Sequence, residues 1–237
     1  MQPQWNLIRK SILDTCKMRS KTYLMVSGGV DSMFLLDFVA NIGVGRGCTA
    51  EIDFEVIHFV HGIRSPDESM KDLHIIYDAI ARYNEDPSRA RPIRLHVGYG
   101  QNLTDGPGME ERARKQRWKF ANSVAKSDNS LFMTGHHLDD NIETTLFNLM
   151  RGKPHDDLAM QTLNRHDCHY RFKPLLSVPK EIIESQAKKR GLVWASDSSN
   201  DDNGPDRNWL RNVIIPQLME RRNLTSSMGN RLNLMLR

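Results

Sequence analysis

The chain has 237 residues, 39% of them hydrophobic and 26% charged, with a formal net charge of +4. That is enough apolar material for one large domain with its own core, and it excludes a disordered or low-complexity chain. No apolar run reaches the length of a membrane span and the first residues lack a signal-peptide core, so a cytoplasmic protein without membrane contact is expected; the mild basic excess permits a polyanionic partner without demanding one.

In chain order, Trp5, Ile8, Ile12 and Leu13 predict a short opening helix. Tyr23-Leu24-Met25-Val26 is a short apolar run that ends at Gly28-Gly29, the pattern of a buried strand entering a tight turn. Helical spacing returns over 31–40, a second strand fits 54–60, and a helix fits 67–82. A third strand fits 93–97, a helix 110–125, a fourth strand 131–133, and a helix 138–150. Strands alternating with helices predict an α/β fold, a parallel twisted sheet flanked by helices, with ligands at the C-terminal ends of the strands.

Past Arg151 the rhythm weakens. Residues 152–167 read as a loop with a short helix and 172–176 as extended. A helix starts at Val178, with Pro179 in its first turn and Gly191 at its end. The polar stretch 195–206 reads as a surface loop, and a last helix is expected over 207–222. The expected division is a catalytic domain over 1–216, of which 152–216 is the more irregular part, then a helix end and tail over 217–237. A small helical C-terminal part thus completes the fold. Cys16, Cys48 and Cys168 lie far apart, which argues for free thiols rather than disulfides, a zinc ribbon or a redox pair. Nothing in the sequence speaks to oligomeric state.

Ser27-Gly28-Gly29-Val30-Asp31-Ser32 lies between a predicted strand and a predicted helix. Two glycines let the backbone turn sharply and approach a ligand, the helix start offers unpaired N–H groups, and the serines add hydroxyls. The set forms an anion cradle suited to pyrophosphate. Asp31 would repel phosphate unless Mg²⁺ bridged the two, which makes it the candidate metal ligand. The loop lacks the Gly-Lys-Ser/Thr ending of a Walker A motif. A glycine turn with a capping serine is the plainer alternative.

This hexapeptide resembles the PP-loop of the N-type ATP pyrophosphatases, which cleave ATP between its α and β phosphates and adenylate a substrate oxygen. Further segments resemble the tRNA(Ile)-lysidine synthase family. His58-Phe59-Val60-His61-Gly62-Ile63-Arg64 matches its His-Val-Asn-His-Gly-Leu-Arg segment, with Val60 replacing Asn. Glu110-Glu111-Arg112-Ala113-Arg114-Lys115-Gln116-Arg117-Trp118 matches its Glu-x-Arg-Ala-Arg-x-x-Arg-Tyr helix. Gly135-His136-His137-Leu138-Asp139-Asp140-Asn141-Ile142-Glu143-Thr144 matches its His-His-x-Asp-Asp-Gln-x-Glu-Thr, with Asn141 for Gln. Lys173-Pro174-Leu175-Leu176, Asp197-Ser198-Ser199-Asn200, Arg207 and Arg211-Asn212 continue the match, which runs from about Tyr23 to Pro216.

The resemblance implies ATP and Mg²⁺ as cofactors, and an isoleucine tRNA with a CAU anticodon and free L-lysine as partners. It implies adenylation of the wobble cytidine at its C2 oxygen, then attack by lysine at C2. His58 would join the loop in binding ATP. His61, Arg64, Glu110, Arg112, Arg114, His137, Arg207, Arg211 and Asn212 would face RNA or substrate. Asp31, Asp140 and Glu143 would be the catalytic carboxylates, the last two three apart on one helical face and beside the incoming lysine. For Arg117 a solvated helix face weighs about evenly with function. The C-terminal region that aids tRNA recognition in longer members is expected to be missing, leaving the catalytic domain to grip RNA. The competing readings are another PP-loop tRNA modifier such as a thiolase, which would call for paired cysteines, and a non-catalytic RNA-binding protein.

Overall fold

The computed structural model describes residues 3–42, 52–62, 66–101, 108–195 and 206–222. Five strands lie parallel and one antiparallel in a six-stranded sheet of order β3-β2-β1-β4-β6-β5. The strands are β1 (Thr22–Met25), β2 (Phe54–Val60), β3 (Arg94–Tyr99), β4 (Leu131–Thr134), β5 (Leu163–His166) and β6 (His169–Phe172). The two central strands, β1 and β4, are buried at every residue. Their sequences therefore read as continuous apolar runs, as strands covered on both faces do.

One face of the sheet carries α1 (Pro3–Lys17), α2 (Val30–Ala40), α3 (Pro66–Asn84) and α6 (Lys180–Lys189) over the larger core. Helix α2 is the innermost: Ser32 to Ala40 are all buried, and Trp5 of α1 packs on Phe34 and Phe38 at centroid distances of 5.4 and 5.6 Å. That contact, with fully buried Ile12, makes α1 longer than its four apolar positions suggest. The other face carries α4 (Met109–Val124), where Trp118 and Ala121 pack on Tyr23, Met25, Ile57 and Phe132. Helix α5 (Leu138–Met150) follows β4 and packs through Leu138 and Ile142 on Ile215 of α8 (Ile215–Arg222).

A buried polar knot fastens α2 to its neighbours. Asp37 accepts hydrogen bonds from Tyr83 of α3 (2.9 Å) and pairs with Arg190 at the end of α6 (2.5 Å), whose guanidinium lies over Phe34. Burial and the Asp37 charge push the Tyr83 hydroxyl far above its ordinary pKa, which keeps it a donor.

The C-terminal third departs from expectation in three ways. Residues 163–167, expected in a loop, instead open a hairpin over 163–172, paired Leu163↔Phe172 through His166↔His169 and turned by Asp167 in the left-handed region at φ 55°. Its outer strand is a mostly exposed edge, so it lacks an apolar signature. The extended stretch therefore ends at Phe172, and Lys173 to Leu176 turn. The last helix is three consecutive segments: α7 (Asp206–Trp209), a π-helical turn (Leu210–Ile214) and α8. Pro216 supplies a reason, since it has no N–H and leaves a carbonyl one turn earlier without its α-helical donor. Cys16 and Cys168 are free thiols, and burial pushes Cys16 up to about 11; Cys48 lies outside the described residues, as does most of the 195–206 loop. Among the described residues no helix is long and apolar enough to cross a membrane.

Candidate active site

The sheet reverses its winding at β1: β2 and β3 lie to one side, β4 and β6 to the other. At such a switch point the loops after the two central strands diverge and open a crevice at the strands' C-terminal ends. Here those loops are residues 26–29, leading into α2, and 135–137, leading into α5. The two segments singled out in the sequence are thus brought together.

They touch closely. Gly135 packs on the first turn of α2, where an added Cβ would lie 2.9 Å from Asp31 carbonyl C and O and 3.0 Å from Ser32 N. Gly28 sits at φ 99°, a conformation open to glycine, and its carbonyl accepts from Ala195 N (3.0 Å). Gly29 caps α2 without a side-chain hydrogen bond, so the N–H groups at that end have no side-chain acceptor. Ser32 Oγ donates to Gly29 O (2.9 Å) and lies 3.2 Å from both Ser27 N and Ser27 Oγ. It braces the turn rather than adding a free donor, whereas Ser27 is exposed. His58 closes the other flank: its buried Nδ1–H donates to Val26 O at 2.8 Å, and burial lowers its pKa. The ring ties the end of β2 to that of β1 and stays neutral.

His137 is the centre of the charge arrangement. Its Nε2 lies 3.6 Å from Asp31 Oδ2 and 3.4 Å from Asp140 Oδ2, and its Nδ1 lies 3.6 Å from Asp139 Oδ2. Burial alone would discharge the ring. Hydrogen bonding to Asp139 and Asp31 and the charge of Asp140 outweigh it and push the pKa up to about 10. Asp140 N also donates to Nδ1 over a long 3.4 Å. The stronger half of the cap runs the other way, with His137 N donating to Asp140 Oδ2 at 3.0 Å. Asp139 accepts from Lys180 N at 2.8 Å and so caps α6. Asn141 is fully buried and accepts from Met160 N (2.7 Å), holding the chain after α5.

Asp140 and Glu143 do not share a partner. Glu143, at 4% exposure, accepts two hydrogen bonds from Arg211 of the π turn, at 2.6 and 2.9 Å. Glu143 and Arg211, both expected in the site, are thus paired across 68 positions of sequence, a contact that no local pattern signals. Arg207 lies over the Phe147 ring at 5.0 Å, and His61 stands edge-on to Phe59 at 5.1 Å. Arg112, Arg114 and Asn212 are exposed. Arg64 lies outside the described residues, as do the side chain of Glu110 and Asp197 to Asn200.

Asp31 Oδ1 is buried with no hydrogen-bond partner, an expensive state for a carboxylate oxygen and one that a cation at the start of α2 would relieve. The residues thus fit Mg²⁺ held by Asp31 and phosphate oxygens. No group of three or more His, Cys, Asp and Glu side chains among the described residues would hold a metal unaided.

A six-stranded α/β sheet with a glycine cradle at its switch point is the architecture of the PP-loop proteins, and the PP-loop domain family model matches residues 4–218, so the chain belongs to that family. Within it, the chain is 31% identical over 199 residues to the tRNA(Ile)-lysidine synthase of Haemophilus ducreyi, covering 84% of this chain and 42% of that protein. Against the Vibrio cholerae tRNA(Ile)-lysidine synthase it is 33% identical over 205 residues, 85% of this chain and 43% of the other. The chain therefore spans less than half the length of these relatives. The U34-tRNA thiolase NcsA from Methanococcus maripaludis shares the fold, with a TM-score of 0.73 over 98% of this chain and 78% of its own, at 18% identity.

Proposed function

We infer that the protein ligates free lysine to C2 of the wobble cytidine of a CAU-anticodon isoleucine tRNA, consuming ATP through an adenylated intermediate. The observation that supports this is the meeting of the two loops, which brings Asp31 and Asp140 to one imidazole, that of His137, in a chain related to the lysidine synthases. A cytosine carbonyl carbon is a poor electrophile. Attack of the C2 oxygen on the α-phosphorus, with loss of pyrophosphate, turns that oxygen into a leaving group. The ε-amine of lysine then attacks C2 and expels AMP.

The backbone at Gly28 and Gly29 and the start of α2 would hold the phosphates. Mg²⁺ at Asp31 would supply charge neutralisation between carboxylate and phosphate. His137, with Nε2 3.6 Å from Asp31 and 3.4 Å from Asp140, would link the two carboxylates across the loops. Lysine arrives protonated, with a reference pKa of about 10.4, so a carboxylate must position it and take a proton. Asp140 and Glu143 are the candidates. Incubating tRNA with protein, ATP and lysine and weighing the digested nucleosides tests the reading. A lysine-sized mass gain on the wobble cytidine is expected, and its absence, with intact tRNA and folded protein, rejects the assignment.

A further inference from the structure

Four cations crowd one flank of the site without an acidic partner among the described residues. Register places Arg171 of β6 beside Phe132 of β4, on the face covered by α4. There the Trp118 ring meets Phe132 edge-on at 5.7 Å and takes the Arg171 guanidinium flat at 3.7 Å. Lys173, two residues on, extends the same face past the strand end. Its ammonium is held by Gln161 O (3.0 Å) and Asn164 Oδ1 (3.3 Å), both neutral. Arg114 and Arg117 come from α4, which returns antiparallel to the strands and so begins at the site end.

Their mutual effect is repulsive. Burial, then Arg171 and Arg114, push Lys173 down to about 8. Burial and Arg114 lower Arg117, whose Nε is buried without a partner. Burial and Arg114 bring Arg171 to about 10, against the pull of Asp167, an exposed hairpin residue bound to His166. His136 feels Lys173 and Arg117 from the site side; burial first, and these charges after it, hold it near 4 against Asp140. Among the described residues no carboxylate pairs with any of the four cations.

A folded chain keeps such a cluster where an anion completes it. We propose that Arg114, Arg117, Arg171 and Lys173 form one anion pocket, separate from the glycine cradle, that seats a backbone phosphate of the RNA strand beside the reacting nucleotide. The occupant rests on the function inferred above. Its placement follows from the pocket adjoining His136, which leads directly into His137 and Asp140, while the cradle lies across the crevice at the start of α2. Arg171 stacked on Trp118 presents donors in a fixed plane, the geometry that phosphate oxygens favour.

The test compares wild type with Arg171→Gln/Lys173→Gln, binding a tRNA anticodon stem-loop over a salt series, with ATP binding measured in parallel. Glutamine keeps an amide plane over Trp118 and a donor for Gln161. Loss of the single-strand phosphate contact that the pocket makes should lower the log–log salt slope by about 0.7 and weaken RNA several-fold at low salt, with ATP affinity unchanged. Lysine and arginine exchanged at these positions (Arg171→Lys/Lys173→Arg) should restore most of the slope. Because the variant relieves repulsion, it should melt no lower than wild type; a merely structural cluster would melt lower and leave the slope alone. An unchanged slope in a variant whose wild type binds RNA overturns the pocket only. An equal fall in ATP affinity reassigns it to the nucleotide and overturns the RNA occupant. A wild type without RNA affinity overturns the functional reading and this occupant with it.

Discussion

Arg211 Nη2 and Nε both donate to one oxygen of Glu143, Oε2, at 2.6 and 2.9 Å, joining the π turn to the buried wall of α5. The carboxylate is 5% exposed and the guanidinium 41%. That oxygen cannot accept an ammonium in the same way while Arg211 holds it. Lysine binding at Glu143 therefore requires either the second carboxylate oxygen or withdrawal of Arg211, and the π turn is where such a shift would be absorbed.

The pair yields a test that separates stability from chemistry. Arg211→Ala strips a buried carboxylate of two charge-assisted bonds, and since the arginine is partly in water the expected loss is about 1–3 kcal/mol in urea unfolding. Glu143→Gln keeps the shape and a hydrogen-bonding oxygen. With lysine present it should release AMP at near the wild-type rate while forming lysidine at least tenfold more slowly. Equal loss of both products would sink the lysine-binding role, and no loss of either would leave Glu143 as a latch for the C-terminal helices.

Asp31 is the residue proposed for the nucleotide end of the same site. Asp31→Asn removes the charge but keeps the shape of its contact with His137. Pyrophosphate release should fall by at least about 100-fold. The melting temperature should stay within a few degrees of wild type, since relief of the buried, unpartnered Oδ1 offsets the weakened contact of Oδ2 with His137. A stable, fully active variant would remove Mg²⁺ and ATP from this loop.

How much of this could be read beforehand depended on range. The buried strands β1 and β4 are apolar throughout, and the glycine and His-Asp motifs sit just beyond them, so sheet and crevice were legible locally. Edge strand β5 was not, because Arg165 and His166 are exposed and one apolar residue, Leu163, makes no pattern. The Glu143–Arg211 pair needs α5 and the π turn to be packed first. The cation pocket needs the β4–β6 register: Arg171 looks like an ordinary surface arginine until Phe132 and Trp118 are placed beside it. Asp139 lies in the His-Asp motif, and its bond to Lys180 N gives it a fold role that only the position of α6 discloses.

Two glycines beside the cradle should answer differently to one methyl group. In Gly135→Ala the Cβ would meet Asp31 and Ser32 backbone at 2.9–3.0 Å, so α2 must move away from the β4 loop. Overpacking of this kind costs about 1–3 kcal/mol, and ATP affinity should fall with it. In Gly29→Ala the nearest atom is Ser27 Oγ at 3.7 Å, and the φ of −72° suits any residue. That variant should melt like wild type. Thermal melts of both check the contrast; equal behaviour would mean the loops are not in contact as described.

Lys173 makes the pocket sensitive to pH in a direction that follows from its environment. Burial, then Arg171 and Arg114, lower it to about 8 in the folded chain, with His136 also facing it and Arg117 facing His136. The unfolded chain keeps that proton up to about 10.4. Between these values the unfolded state binds more protons than the native state, so the contribution of Lys173 to stability rises with pH, and below about 8 its full cost is present. The cost should be about 1–2 kcal/mol once water screening is allowed for. Cys16 works against this trend, because its thiol, raised by burial to about 11, favours the folded state less as alkali ionises it. The contribution is therefore isolated by subtracting Lys173→Gln from wild type. The difference in unfolding free energy should shift toward wild type from pH 8 to 10. RNA affinity should move oppositely: it should weaken as pH rises through about 8 in wild type and lose that inflection in Lys173→Gln. Parallel pH curves for the two proteins, in both stability and RNA binding, would show that Lys173 keeps its proton throughout and that its ammonium is not confined with the arginines.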